Sequence, residues 1–284
     1  MQTKEVRFDI RYTGGEAEEN KLDLYNASNS ILGLSKALAI STHALVSKGE
    51  VRKNGATIPN VKLYLHPPKK GSFVESVSVF FENAAVQAIG ISTISAAFWA
   101  MLEYSFKIAT GQDCDVVNPT VKKIIREKDL IDLELADVLE KPLQQLHRPI
   151  KGGAGMNIEI NRPRKGTVIN FDSATKNYVF STIQAGIKDD LVGNVTKYNI
   201  ITGYGRFYDD ELERTLPFNI DKDKISVEHE LLIRWSLFNA DFDDGGKICL
   251  TASVVNDKAN NAKRYIVTGA KKIDDDYEAG EEAV

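Results

Sequence analysis

From Asn83 to Leu102 the chain reads NAAVQAIGISTISAAFWAML without one charged residue, and Glu82 and Glu103 stand at its two ends. In a sequence that is 27% charged, this gap constrains the fold more than any other feature. About twenty residues of helix span a bilayer, so protein or lipid must cover the segment. Three arrangements satisfy that: a helix buried in a core, a transmembrane span, or a helix exposed only on a trigger. Asn83, Gln87, Ser92, Thr93 and Ser95 lower its hydropathy, and polar groups in lipid need partners. The flanks are acidic, with no basic anchor before Lys107. Both features weigh against a constitutive span. Gly90, Ser92, Ala96 and Ala100 place small side chains at close to four-residue spacing, which permits close helix–helix approach. A helix buried in a core or at an oligomer interface is the first reading of the segment; self-association, or membrane entry after a conformational change, through Ile89, Gly90, Ile94, Ala97, Phe98 and Trp99 is the functional expectation it raises.

The rest of the chain reads as α+β. Residues 5–12 alternate, with Val6, Phe8, Ile10 and Tyr12 on one face and Arg7, Asp9 and Arg11 on the other, which predicts a half-buried strand. Residues 22–47 change to helical spacing and end before Gly49. Two further alternating runs, around Val61–Leu65 and Phe73–Phe80, flank PPKKGS and predict a hairpin. The order β-α-β-β, then the apolar helix at 83–108, predicts an N-terminal domain over 1–112. Residues 113–150 read as a helical connector broken at Pro142, and HRPIKGGAGM (147–156) as a linker. From 157 to 272 short strands alternate with turns, which predicts a small SH3-like or OB-like β-barrel bent at Gly193, Gly203 and Gly205. Residues 273–284 carry six carboxylates and no base and predict a disordered acidic tail; without them the chain is close to neutral.

The motifs of chemistry are missing. Cys114 and Cys249 are the only cysteines, too few for a disulfide framework or a zinc site. The spacing of Asp241, Asp243 and Asp244 before two glycines fails the calcium-loop pattern and reads as an acidic turn. His43, His66, His147 and His229 fall in no metal spacing, and neither a nucleophile elbow nor a phosphate loop is present. No cofactor, metal or small-molecule substrate is indicated, and the N-terminus, lacking an apolar stretch behind a basic start, predicts no signal peptide. One binding pattern stands out in the C-terminal half, where Lys197, Tyr198, Tyr204, Arg206, Phe207 and Tyr208 interleave bases with aromatics. A barrel can stack nucleic-acid bases on such rings, although Asp209, Asp210, Glu211 and Glu213 lie beside them.

The segments VRFDIRYTGG, LDLYNASNSILGLSKALAISTHALVSKGE and VKLYLHPPKKGSF, followed by the small-residue helix and by GNVTKYNIITGYGRFYDDELERTLPF, resemble a set of uncharacterised bacterial proteins of mobile or phage-defence-associated gene neighbourhoods. The resemblance implies a bacterial cytoplasmic protein with a defence role and no catalytic residue. The leading expectation is therefore a non-catalytic recognition and assembly protein. It would oligomerise, bind another protein, or be recruited to the inner membrane through 83–102. Nucleic-acid binding by the barrel through Lys197, Tyr198, Tyr204, Arg206 and Phe207 is the alternative, and a hydrolase with an unrecognised site the second.

Overall fold

The computed structural model describes residues 4–52, 58–67, 73–82, 91–150, 155–183, 186–240, 245–257 and 260–273. Ile89, Gly90, the acidic residues 241–244, part of the 147–156 segment and the tail after Ile273 lie outside the described residues. The chain divides into two compact units, Met1–Phe180 and Ser181–Val284.

The first unit is built on an antiparallel sheet in the order β2-β3-β1-β4-β5. Its central strand β1 (Lys4–Thr13) buries Val6, Phe8, Ile10 and Tyr12 on one face, as its alternation dictates. It pairs with β3 (Val74–Phe81) on one side and with β4 (Asn157–Arg162) on the other, setting Ile10 opposite Ile160 and Tyr12 opposite Ile158. β2 (Val61–Leu65) and β5 (Gly166–Phe171) close the edges. Strands β4 and β5, expected to open the barrel, thus complete this sheet instead. The stretch 147–156 lies inside the first unit, and the division between units falls after Phe180. Local alternation marks a strand but does not name its partner.

Helices α1 (Leu24–Val46), α2 (Ile91–Ala109), α3 (Pro119–Glu127), α4 (Ile131–Leu146) and α5 (Ser173–Val179) complete the unit. Their starts are chemically marked. The Asp23 side chain accepts from Asn26 N–H, Asn118 caps α3 ahead of Pro119, and Asp172 and Thr175 form a capping box on α5. The helices expected to form a connector are core elements: Val121, Ile124, Leu135, Leu139, Leu143 and Leu146 are buried with the sheet residues. The chain breaks at Leu130, which takes a left-handed φ of 62°, and not at Pro142. That proline is buried within α4, so packing offsets the hydrogen bond it cannot donate. Helix α1 crosses at this level through Gly33, where a Cβ would sit 2.4 Å from Pro142 O.

Over its described residues the apolar segment takes the buried-helix arrangement. Ile94, Ala97, Phe98 and Trp99 on α2 are all buried in the first unit. Phe98 meets Phe8 and Phe81 at 6.1 and 6.2 Å between centroids, and Trp99 meets Phe8 edge-on at 5.5 Å. Phe98 and Trp99 thus pack against the apolar side chains of β1 and β3. Among the described residues no helix is long and apolar enough to cross a membrane.

The second unit is a closed five-stranded barrel. Strands β7 (Lys188–Tyr198), β8 (Tyr204–Asp209) and β9 (Arg214–Ile220) form an antiparallel meander. Helix α6 (Val227–Asn239) follows, capped by Ser226, and then β10 (Ile248–Asn256) and β11 (Ala262–Lys272). β11 runs parallel to β9, β10 pairs antiparallel with β11, and β10 returns to β7. The two-residue strand β6 (Thr182–Ile183) adds to the far end of β10. Numbered from β7, the strands follow the circular order 1-2-3-5-4, with the helix between the third and fourth. Val195, Phe207, Leu216, Phe218, Ile233, Leu250, Tyr265 and Val267 fill the interior.

Candidate nucleic-acid interface

Strand β8 sits in the middle of the meander, and its alternation sorts the residues that the sequence groups together. Gly205, Phe207 and Asp209 point inward and are buried; Tyr204, Arg206 and Tyr208 point outward. Phe207 is fully buried and packs edge-on to Tyr265 at 6.3 Å, so it is a core residue and offers no ring to a ligand. Tyr198 pairs with Gly205 on the inner side, stacks on Phe218 at 6.0 Å and 14°, and donates its hydroxyl to Glu230 at 2.9 Å. Burial, followed by the bond to Glu230, raises its hydroxyl pKa above the ordinary value. The ring of Phe218 lies where Gly205 lacks a side chain, a Cβ there being 2.2 Å from it.

The outer face is different. A register shift after Val195 brings Lys197 opposite Arg206, so the two cations share one side, and Asn194 stands opposite Tyr208. On the other side Asn219, Pro217 and Thr215 face Tyr204, Arg206 and Tyr208 in turn. The result is a Tyr-x-Arg-x-Tyr ladder, its two rings about 13 Å apart along the strand at 3.3 Å per residue, bordered by polar groups and a lysine. Two of the acids beside it are engaged within the barrel. Asp209 is buried and accepts from the Tyr265 hydroxyl and from Leu212 N–H. Asp210 pairs with Lys247 at 2.8 Å. At the other end of the ladder the 199–203 turn exposes Ile200 and Ile201, and Lys222 Nζ donates to Ile201 O.

Of the sequence-selected residues, then, Lys197, Tyr204 and Arg206 come together outside the barrel, and Tyr198 and Phe207 point into it. Tyr208 completes the ladder, and the two-residue spacing 204-206-208 is the signal that picks it out. Ile200 and Ile201 have no counterpart in the sequence reading because their exposure depends on the turn. Among the described residues no group of acids, histidines and cysteines could hold a metal ion.

Residues 8–180 match a domain of unknown function, DUF7946. The chain belongs to the DUF7946 family. Residues 189–271 match a second family of unknown function, DUF7947. The DUF7946 match ends where the first compact unit ends, and the DUF7947 match spans the barrel. No curated protein and no solved structure matches the chain. Neither family description refers to a bacterial origin or to phage defence.

Proposed function

We propose that the C-terminal unit is an OB-type barrel that binds single-stranded nucleic acid on the outer face of its first three strands. The observation carrying this reading is the outward ladder of Tyr204, Arg206 and Tyr208 on the barrel's second strand. Support comes from the connectivity: OB barrels share the order 1-2-3-5-4 with a helix between strands three and four, and they take oligonucleotides on strands two and three. Each tyrosine offers a face on which a base can stack, and Arg206 and Lys197 offer charge to the intervening phosphates. Polar Asn194, Thr215 and Asn219 border the rings without the long cationic stripe of a duplex binder.

The test is fluorescence anisotropy with a labelled oligo-dT and an oligo-rU at two salt concentrations. Affinity should fall as salt rises, because phosphate contacts release counterions. Tyr204→Ala and Tyr208→Ala should each cost about 1–3 kcal/mol of binding. Arg206→Gln should flatten the log K against log salt slope by about one unit. A protein that binds neither oligonucleotide at low salt, or binds with both tyrosines dispensable, refutes the proposal.

A further inference from the structure

The first unit contains a cleft of about 370 Å³ where α2, the 114–119 segment and the β4–β5 turn meet. Ala96 and Ala100, one turn apart on α2, and the edge of Trp99 form its floor, and Val116 and Val117 its apolar wall. The small-residue spacing on this helix, which in the sequence suggests helix–helix approach, here makes room for the cleft. Two cations enter from the turn. The Arg162 guanidinium lies 5.4 Å from the Trp99 ring centroid, and Lys165 follows in a tight turn closed by its N–H to Arg162 O at 3.0 Å. The acids on the rim do not neutralise them. Glu103 is paired with Lys107 at 2.7 Å, and Asp115 is exposed to water. Among the described residues neither Arg162 nor Lys165 has a carboxylate partner. Arg162, partly exposed, held against the Trp99 ring and without a carboxylate beside it, is placed to pair with an anion, and a pocket of roughly 300–1,000 Å³ with an apolar floor and a few converging polar groups is the usual form of a small-molecule site.

We infer that this cleft binds a small organic anion, with a flat apolar body on Ala96, Ala100 and Trp99 and its carboxylate or phosphate on Arg162 and Lys165. The site lies wholly within the first unit and does not depend on the barrel reading.

The probes are 1-anilinonaphthalene-8-sulfonate and its uncharged counterpart N-phenyl-1-naphthylamine, titrated against the full chain carrying Trp235→Phe so that Trp99 is the sole tryptophan reporter. The sulfonate should quench Trp99 saturably at one site and bind at least about tenfold tighter than the neutral probe, as a charge-assisted contact requires. Arg162→Gln combined with Lys165→Gln should abolish that preference, and Ala100→Phe should exclude both probes. Competition by 2-naphthoate or by 2-naphthyl phosphate supports the site and identifies the head group it prefers; competition by neither overturns it. Equal binding of the charged and neutral probes to the Trp235→Phe chain overturns it without any cleft variant, so a misfolded variant does not shield the proposal. A preference that survives the double substitution in a folded protein also overturns it.

Discussion

Acid should loosen the first unit through one histidine. His147 ends α4, is fully buried, and presents Nδ1 to Leu143 O at 2.6 Å and Nε2 to the Thr175 hydroxyl at 3.0 Å, its ring edge-on to Phe171. The Nδ1–H donates to the carbonyl, so the neutral ring uses Nε2 as an acceptor. Burial lowers its pKa from 6.5 to about 4; the bond to Leu143 opposes that fall, Lys176 adds to it, and Asp172 opposes it. Because the folded pKa is depressed, the unfolded chain binds the proton first. Stability is therefore full above the unfolded value of 6.5 and is lost as pH falls toward about 4. Linkage over that window gives a loss of about 2 kcal/mol between pH 7 and pH 5 from this group alone. Urea unfolding of the Trp235→Phe chain, followed by Trp99 in the same unit, measures it. His147→Gln removes the titration, so wild type should lose about 2 kcal/mol more than the variant across the interval whatever the variant's baseline. Parallel pH profiles for the two proteins would refute the argument.

Three further outcomes follow from packing. Phe98→Ala should cost about 3–5 kcal/mol of stability, since it empties a site between Phe8 and Phe81. Liposomes mixed with native protein should show no leakage, and leakage at neutral pH without denaturant would contradict the burial of α2. Gly33→Ala should destabilise by about 1–3 kcal/mol in thermal melts, because its Cβ would have to push α1 off Pro142 O and Leu146 N; an unchanged Tm would mean the two helices separate freely.

Much of the local structure is legible in the sequence because it is decided within a few residues. The alternation of Val6, Phe8, Ile10 and Tyr12 against charged neighbours makes β1, and it also says which face is buried. Caps such as Asn118-Pro119 and Asp172 place helix starts. Tyr204, Arg206 and Tyr208 share a face by the two-residue period of a strand alone.

What tertiary structure decided is pairing and coverage. Strands β4 and β5 carry the same alternation as barrel strands, yet Ile158 and Ile160 complete the sheet beside β1, a contact across about 150 residues that no local pattern encodes. The uncharged stretch at 83–102 demands a cover but does not name it; the first unit buries Ile94, Ala97, Phe98 and Trp99, and Phe8 and Phe81 of the sheet meet the two aromatic rings. Phe207 and Tyr208 are adjacent aromatics of similar promise on paper, and only closure of the barrel, which needs one side of β8 for its interior, turns the first inward and leaves the second in water. The cleft beside Trp99 is likewise a product of assembly. Ala96, Val116 and Arg162 lie far apart in the chain, and a hollow exists only where separately folded surfaces fail to meet.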